Sequence, residues 1–211
     1  MKLRLSDVEI ARSNPKAFVQ GAVNGPKGFK SRFVVLRSIA MSYHATNDLR
    51  AAITSLESRL QKQFKMQTAN ERCVQQLQEY VVAFEKLGTS VARVRNDVTV
   101  PLPEEYQHFR VTGQIARLDV VSKGGYRAWL FVNKTGPWGE ELRFPLLQLA
   151  SAAQLAVDPQ EVIPGVYNFA TAAYTELPST KAALTNAHKE LLQLLDSLKR
   201  FGALKKESDH Q

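Results

Sequence analysis

The apolar period of this chain changes at Gly88, and that change constrains the fold more than any single motif. Before it, apolar residues recur at three- and four-residue steps: Phe33, Leu36 and Ala40, then Leu49, Ile53, Leu56 and Leu60, then Val74, Leu77, Val81 and Phe84. Such spacing lines up one side of a helix. After Gly88, residues 91–100 and 109–121 are rich in β-branched side chains and alternate in pieces with period two, the pattern of strands. Ser122-Lys123-Gly124-Gly125 offers glycines for a hairpin turn, and residues 126–133 return as its second strand. The order helices, strand, hairpin, helix, strand, helix predicts the α/β class: a central mixed β-sheet flanked by helices, with a helical N-terminal lobe.

Local signals set the expected boundaries. Ser6-Asp7-Val8-Glu9 and Thr68-Ala69-Asn70-Glu71 have capping-box spacing, and Asn14-Pro15 suits a cap followed by the first helical residue. Residues 21–28, with Gly25-Pro26 and Gly28, read as a loop. Asn47 or Thr46 opens the second long helix. Pro145 fits the first turn of a helix reaching Ala156, residues 162–169 form a further strand, and Ser179 caps a last helix striped with Leu184, Leu191, Leu194, Leu195 and Leu198. The 211 residues, 44% of them hydrophobic, suffice for one core. One domain over 1–211 is expected: a helical lobe over 1–90, a sheet-bearing core over 91–202 and a tail over 203–211.

Charge narrows the partners. The net charge is +8, and residues 1–40 hold eight basic side chains against Asp7 and Glu9, an excess of +6. A basic concentration suits a phosphate backbone, which releases counterions when it is neutralised. Arg12, Lys16, Lys27, Lys30 and Arg32 are the candidate contacts in this stretch, and the last three flank the glycine-rich loop. The single cysteine, Cys73, cannot close an intrachain disulfide or build a metal cage alone. No apolar run is long enough to span a bilayer, and Met1-Lys2-Leu3-Arg4-Leu5 lacks an apolar signal region, so a cytoplasmic protein with no membrane contact is expected. Phosphate-cradling, nucleophile-elbow and paired-histidine zinc motifs are absent from the sequence, and no cofactor is expected.

Three blocks carry a resemblance. Gly113-Gln-Ile-Ala-Arg-Leu-Asp119 is followed by Val132-Asn133-Lys134-Thr135-Gly136, and then by a helical segment holding Gln148. In order and spacing they resemble the RecB-like branch of the PD-(D/E)xK nuclease superfamily, whose members carry Gly-x-Ile-Asp-Arg-Ile-Asp, Asp-Tyr-Lys-Thr-Gly and a helix led by glutamine. The resemblance implies a nuclease-like core over 91–202. It also implies that Ala116 and Val132 stand where two metal-binding acids would, while Lys134 and Gln148 are kept. A divalent metal needs several oxygen ligands, and neither alanine nor valine provides one.

No catalytic residue and no metal ligand is therefore assigned, and Ala116, Asp119, Val132, Lys134 and Gln148 form a vestigial site. Val132 and Lys134, two apart on a strand, should share a face, and Ala116 should join them around one pocket. Asp119, three residues from Ala116, should face the other way. His44 occupies the place of a family histidine, and Trp138 in its Gly-Pro-Trp-Gly loop could stack on a base. Three readings stay open. The first is an inactive domain that binds nucleic acid, DNA by preference, alongside other protein subunits of a recombination, repair, mobile-element or antiviral assembly. The second is a working nuclease with ligands relocated to Asp119, Glu140 or Glu141, and Lys134. The third is a protein-interaction subunit without nucleic-acid contact.

Overall fold

The computed structural model describes residues 1–21, 31–122 and 124–203. Strand β1 (Lys2–Arg4) leads through a 3-10 turn into the short helices α1 (Val8–Ser13) and α2 (Pro15–Val19). Helices α3 (Arg32–Thr46), α4 (Leu49–Gln63) and α5 (Gln67–Glu85) follow. Then come β2 (Ser90–Thr99), β3 (Arg110–Val120), β4 (Tyr126–Val132), α6 (Arg143–Leu155), β5 (Val162–Asn168), β6 (Ala173–Glu176) and α7 (Lys181–Arg200). Among these residues no helix is long and apolar enough to cross a membrane.

The six strands make one mixed sheet in the order β1-β3-β4-β5-β6, with β2 on the other edge of β3. Helices cover both faces, as expected for the α/β class. On one face, Leu3, Val8, Ala11, Ile115 and Leu118 pack with Leu146 and Ala150 of α6 and with Leu191 and Leu195 of α7. On the other, Leu36, Leu56, Leu77 and Tyr80 from α3–α5 close over Ala116, Trp129, Phe131, Tyr167 and Phe169. Each fully buried leucine contributes about 2–3 kcal/mol relative to exposure. Within the sheet, Gly165 of β5 leaves no room for a side chain: any Cβ would collide with the Trp129 indole of β4 and the Thr175 carbonyl of β6.

The helical lobe expected over 1–90 is thus two layers: residues 1–19 pack on the α6–α7 side, and only α3–α5 form the opposite one. β1 escaped the sequence reading because three residues, Lys2-Leu3-Arg4, are too few for a period to show. Several caps also differ. Ser6 bonds Asp7 instead of the helix, and Glu9 accepts the Leu142 N–H at 2.7 Å, so the first capping box does not form. Thr68 lies inside α5, whose N-cap is Met66, and Glu71 accepts from Gln67 Nε2 at 3.2 Å, so the second does not form either. Thr180, one residue after Ser179, caps α7 by accepting from Ala183 N, while Ser179 N donates to Gln148. Asn14 does cap α2, with Pro15 as its first residue. Asn47 ends α3 in the left-handed region at φ 53°, and Asp48 caps α4.

Candidate functional site: a cationic cleft where the sheet parts

The site begins with a parting of strands. β3 pairs with β4 from Val120↔Tyr126 to Arg117↔Trp129, and there the ladder stops. Further back along the same edge, β1 takes over in parallel, from Lys2↔Arg110 to Arg4↔Thr112. Between these two ladders, residues 113–116 of β3 have a sheet neighbour only in β2. A cleft of about 470 Å³ opens at this gap, bounded by β1, β3, the end of β4, Arg37 of α3 and the start of α6.

The cleft wall is strongly basic. Among the described residues, Lys2, Arg4, Arg37, Arg110 and Arg143 line it against one acid, Asp97. The register explains the grouping. Leu3 and Val111 go to the core, so Lys2, Arg4, Arg110 and Thr112 share the opposite face. Arg37 donates to Gln114 Oε1 at 2.9 Å, and Gln114 Nε2 donates to Asp97 at 3.1 Å. Arg143 pairs with Glu141 and lies over the Trp138 and Phe144 rings. Burial raises the Glu141 pKa, an effect that Arg143 and Lys134 oppose and Glu9 reinforces.

A second polar assembly lies on the α3–α5 side. Arg117, fully buried, forks onto Asp119 with two 2.8 Å bonds and donates to the hydroxyls of Tyr80 and Tyr174 at 2.7 and 2.9 Å. Asp119 also accepts from Trp129 Nε1 at 2.9 Å and from Thr89 at 3.0 Å. Burial by itself would lower the Arg117 pKa, but Tyr80, Tyr174 and Asp119 outweigh it and hold the guanidinium charged. Burial lifts Tyr174 to about 12. The group is a satisfied structural network, with each strong donor matched to an acceptor.

His44 hangs on its edge. Its Nε2 meets the Tyr80 hydroxyl at 2.5 Å, its Nδ1 has no partner among the described residues, and burial first, then the Arg117 charge, lowers its pKa to about 3. The folded imidazole is therefore neutral where the unfolded one, near 6.5, takes a proton. Stability from this group is complete above about pH 6.5 and declines as pH falls toward 3. Urea titrations from pH 6.5 to 4 should show a slope that flattens in His44→Gln, by up to about 1.4 kcal/mol per pH unit before screening reduces it. An identical slope in the variant would place that proton elsewhere.

The structure separates the residues expected to share one pocket. Val132 lines the cleft and packs against Trp138, Phe144 and Val166. Ala116 is buried in the aromatic cluster under α3–α5 and does not line the cleft. Lys134 lies past the end of β4, exposed, so the two-residue strand spacing from Val132 does not apply to it. Asp119 does not face away from Ala116; both serve the same side. The alternation of β3 slips at Ala116-Arg117, opposite Arg95 of β2, which adopts φ 52° between the pairs Val94↔Arg117 and Asn96↔Ile115. Gln148 is buried and far from surface chemistry, tying α6 to the Pro159 carbonyl and Ser179 N. Trp138, expected to be open for stacking, is 9% exposed and packs on Phe144.

The relocated acids do not converge either. Asp119 is consumed by Arg117, Glu140 is exposed, and among the described residues no three His, Cys, Asp or Glu side chains could hold a metal ion together. Of the expected nucleic-acid contacts, Arg12 pairs with Glu190 at 3.0 Å, Lys16 is exposed on α2, and Arg32 bonds Asn70 and covers the Phe64 ring. Lys27 and Lys30 lie outside the described residues. Sequence reasoning missed the grouping of Lys2, Arg4, Arg37, Arg110 and Arg143. The alternation Lys2-Leu3-Arg4-Leu5 was the available signal, but only the pairing with β3 shows its meaning.

No protein-family model matches this chain, and no curated protein matches its sequence. Among solved structures, that of a "Putative exonuclease" from Eubacterium rectale superposes with a TM-score of 0.52 at 11% identity, covering 95% of this chain and 82% of that one. A second, SSO0001, reaches a TM-score of 0.34 at 10% identity, with 89% and 85% covered. At these identities the first likeness speaks for architecture only. The chain shares with that protein an α/β fold in which helices flank a mixed central sheet, compatible with a nuclease-like core.

Proposed function

We propose that this chain is a catalytically inactive, nuclease-like domain, related to the RecB-like PD-(D/E)xK enzymes, that binds nucleic acid. One observation carries the reading: among the described residues, five cations and a single acid line the cleft at the parting of β3 from β1 and β4. Lysine and arginine on a strand face contact phosphates without reading sequence. The placement of Ala116 and Val132 in different clusters supports the loss of cleavage, since no acid pair is poised to hold a metal there. DNA is the proposed ligand. Other protein subunits of a recombination, repair, mobile-element or antiviral complex in the cytoplasm are the proposed setting.

A second reading has one observation in its favour: Glu141 stands close enough to Lys134 and Glu9 for both to shift its pKa. End-labelled DNA and RNA incubated with the protein and magnesium or manganese decide between them. The proposed function predicts full-length strands throughout. Metal-dependent cleavage that disappears in Glu141→Ala would establish the second reading instead.

A further inference from the structure

Among the described residues, the cleft holds a cation without a counter-charge. Arg37 is half-buried; one terminal nitrogen bonds the neutral Gln114, and its Nε is buried with no partner among the described residues. The charge that bears on it is another guanidinium, Arg95, and both burial and Arg95 lower the Arg37 pKa. Desolvating a cation beside a like charge is unfavourable unless something anionic completes the site.

The surroundings keep that imbalance in place. Gln114 accepts from Arg37 with its oxygen and donates to Asp97 with its nitrogen, so the cleft's one acid is satisfied through the amide and not through the guanidinium. Arg95 sits in the left-handed region at φ 52° inside a strand, an unfavourable conformation for a residue with a Cβ. It is fixed there by bonds to the Ser38 carbonyl at 3.0 Å and the Ser38 hydroxyl at 2.7 Å. Lys2, Arg4 and Arg110 line the same cleft and form no ion pair among the described residues.

We propose that Arg37 anchors a site for a phosphomonoester, a doubly charged phosphoryl group at the end of a nucleic-acid strand or on a free nucleotide. This rests on the nucleic-acid reading above and narrows it. A phosphomonoester carries nearly two charges and three strong acceptor oxygens, while an internal phosphodiester carries one charge. The free Nε donor of Arg37 and its unbalanced charge match the former better, and a guanidinium can meet two of its oxygens at once. The cleft's 470 Å³ is in the range of small-ligand pockets.

Binding of four probes at low salt tests the site: one single-stranded DNA with a 5′-phosphate, one with a 3′-phosphate, one with hydroxyl ends, and adenosine monophosphate. The native protein should prefer one phosphorylated end over hydroxyl ends by about tenfold or more, and Arg37→Gln should erase that preference, weakening the phosphorylated strand far more than the hydroxyl-ended one, which loses only the share of a single cleft cation. Arg37→Lys should retain part of it. Because the substitution removes an unbalanced charge, the free Arg37→Gln protein should melt no lower than the native one. Equal binding of all strands, unchanged in Arg37→Gln, would overturn this site and leave the nucleic-acid reading standing. Binding of adenosine monophosphate alone, lost in Arg37→Gln, would uphold the phosphate site on a free nucleotide and overturn the nucleic-acid reading. Failure of every probe to bind would overturn both.

Discussion

Asp119→Ala should destabilise the protein by about 3–5 kcal/mol in urea or thermal unfolding, because it strands a buried guanidinium without its partner. Arg117 is fully buried and gives two of its bonds to Asp119. The same substitution leaves the Trp129 indole N–H and the Thr89 hydroxyl without their acceptor. Stabilities of ordinary domains are about 5–15 kcal/mol, so the loss is a large share of the total. Replacing both partners with apolar residues, as in Arg117→Met with Asp119→Leu, should recover much of it, since the penalty lies in the unpaired charge. If Asp119→Ala costs less than about 1 kcal/mol, the network does not hold the sheet as described.

Ala116→Asp should also cost several kcal/mol and should confer no cleavage, even combined with Val132→Asp. Ala116 is 1% exposed among Trp129, Phe131, Tyr167 and Phe169, where a new carboxylate meets aromatic faces. The guanidinium beside it in sequence is already committed to Asp119, Tyr80 and Tyr174. Val132 packs in a separate cluster with Trp138 and Phe144. Placing two acids on positions that do not converge does not build a metal site. Magnesium-dependent cleavage by the double variant would show that the two positions do meet and would reverse this account.

The long periodic segments were legible from sequence. Residues 49–60 and 184–198 mark their buried stripes at helical spacing, and the period-two runs mark β2, β3 and β4. The site was legible only in part. Strand arithmetic presumes unbroken alternation, and the left-handed Arg95 opposite Ala116 breaks it, so Ala116 and Asp119 both end on the α3–α5 side. Lys134 falls past the strand end, where no periodic rule applies. The cleft joins residues from Lys2 to Arg143, and its charge arises from a parallel pairing of β1 with β3 that sequence spacing does not encode. Of the basic excess near the N-terminus, Lys2, Arg4 and Arg37 line the cleft, while the expected contacts Arg12, Lys16 and Arg32 do not.

The most direct test of the central claim is the salt dependence of DNA binding by the native protein and by a variant with Lys2→Gln, Arg4→Gln and Arg110→Gln. All three side chains are exposed in the native cleft, so the variant should fold normally. Native binding should tolerate different sequences and weaken steeply with salt, and the variant should bind each sequence more weakly by a similar factor. Its plot of log affinity against log salt should be shallower by up to about three, at roughly 0.9 per duplex phosphate contact. Binding that is absent at low salt, or a slope unchanged by the triple substitution, would contradict the assignment of the cleft to nucleic acid.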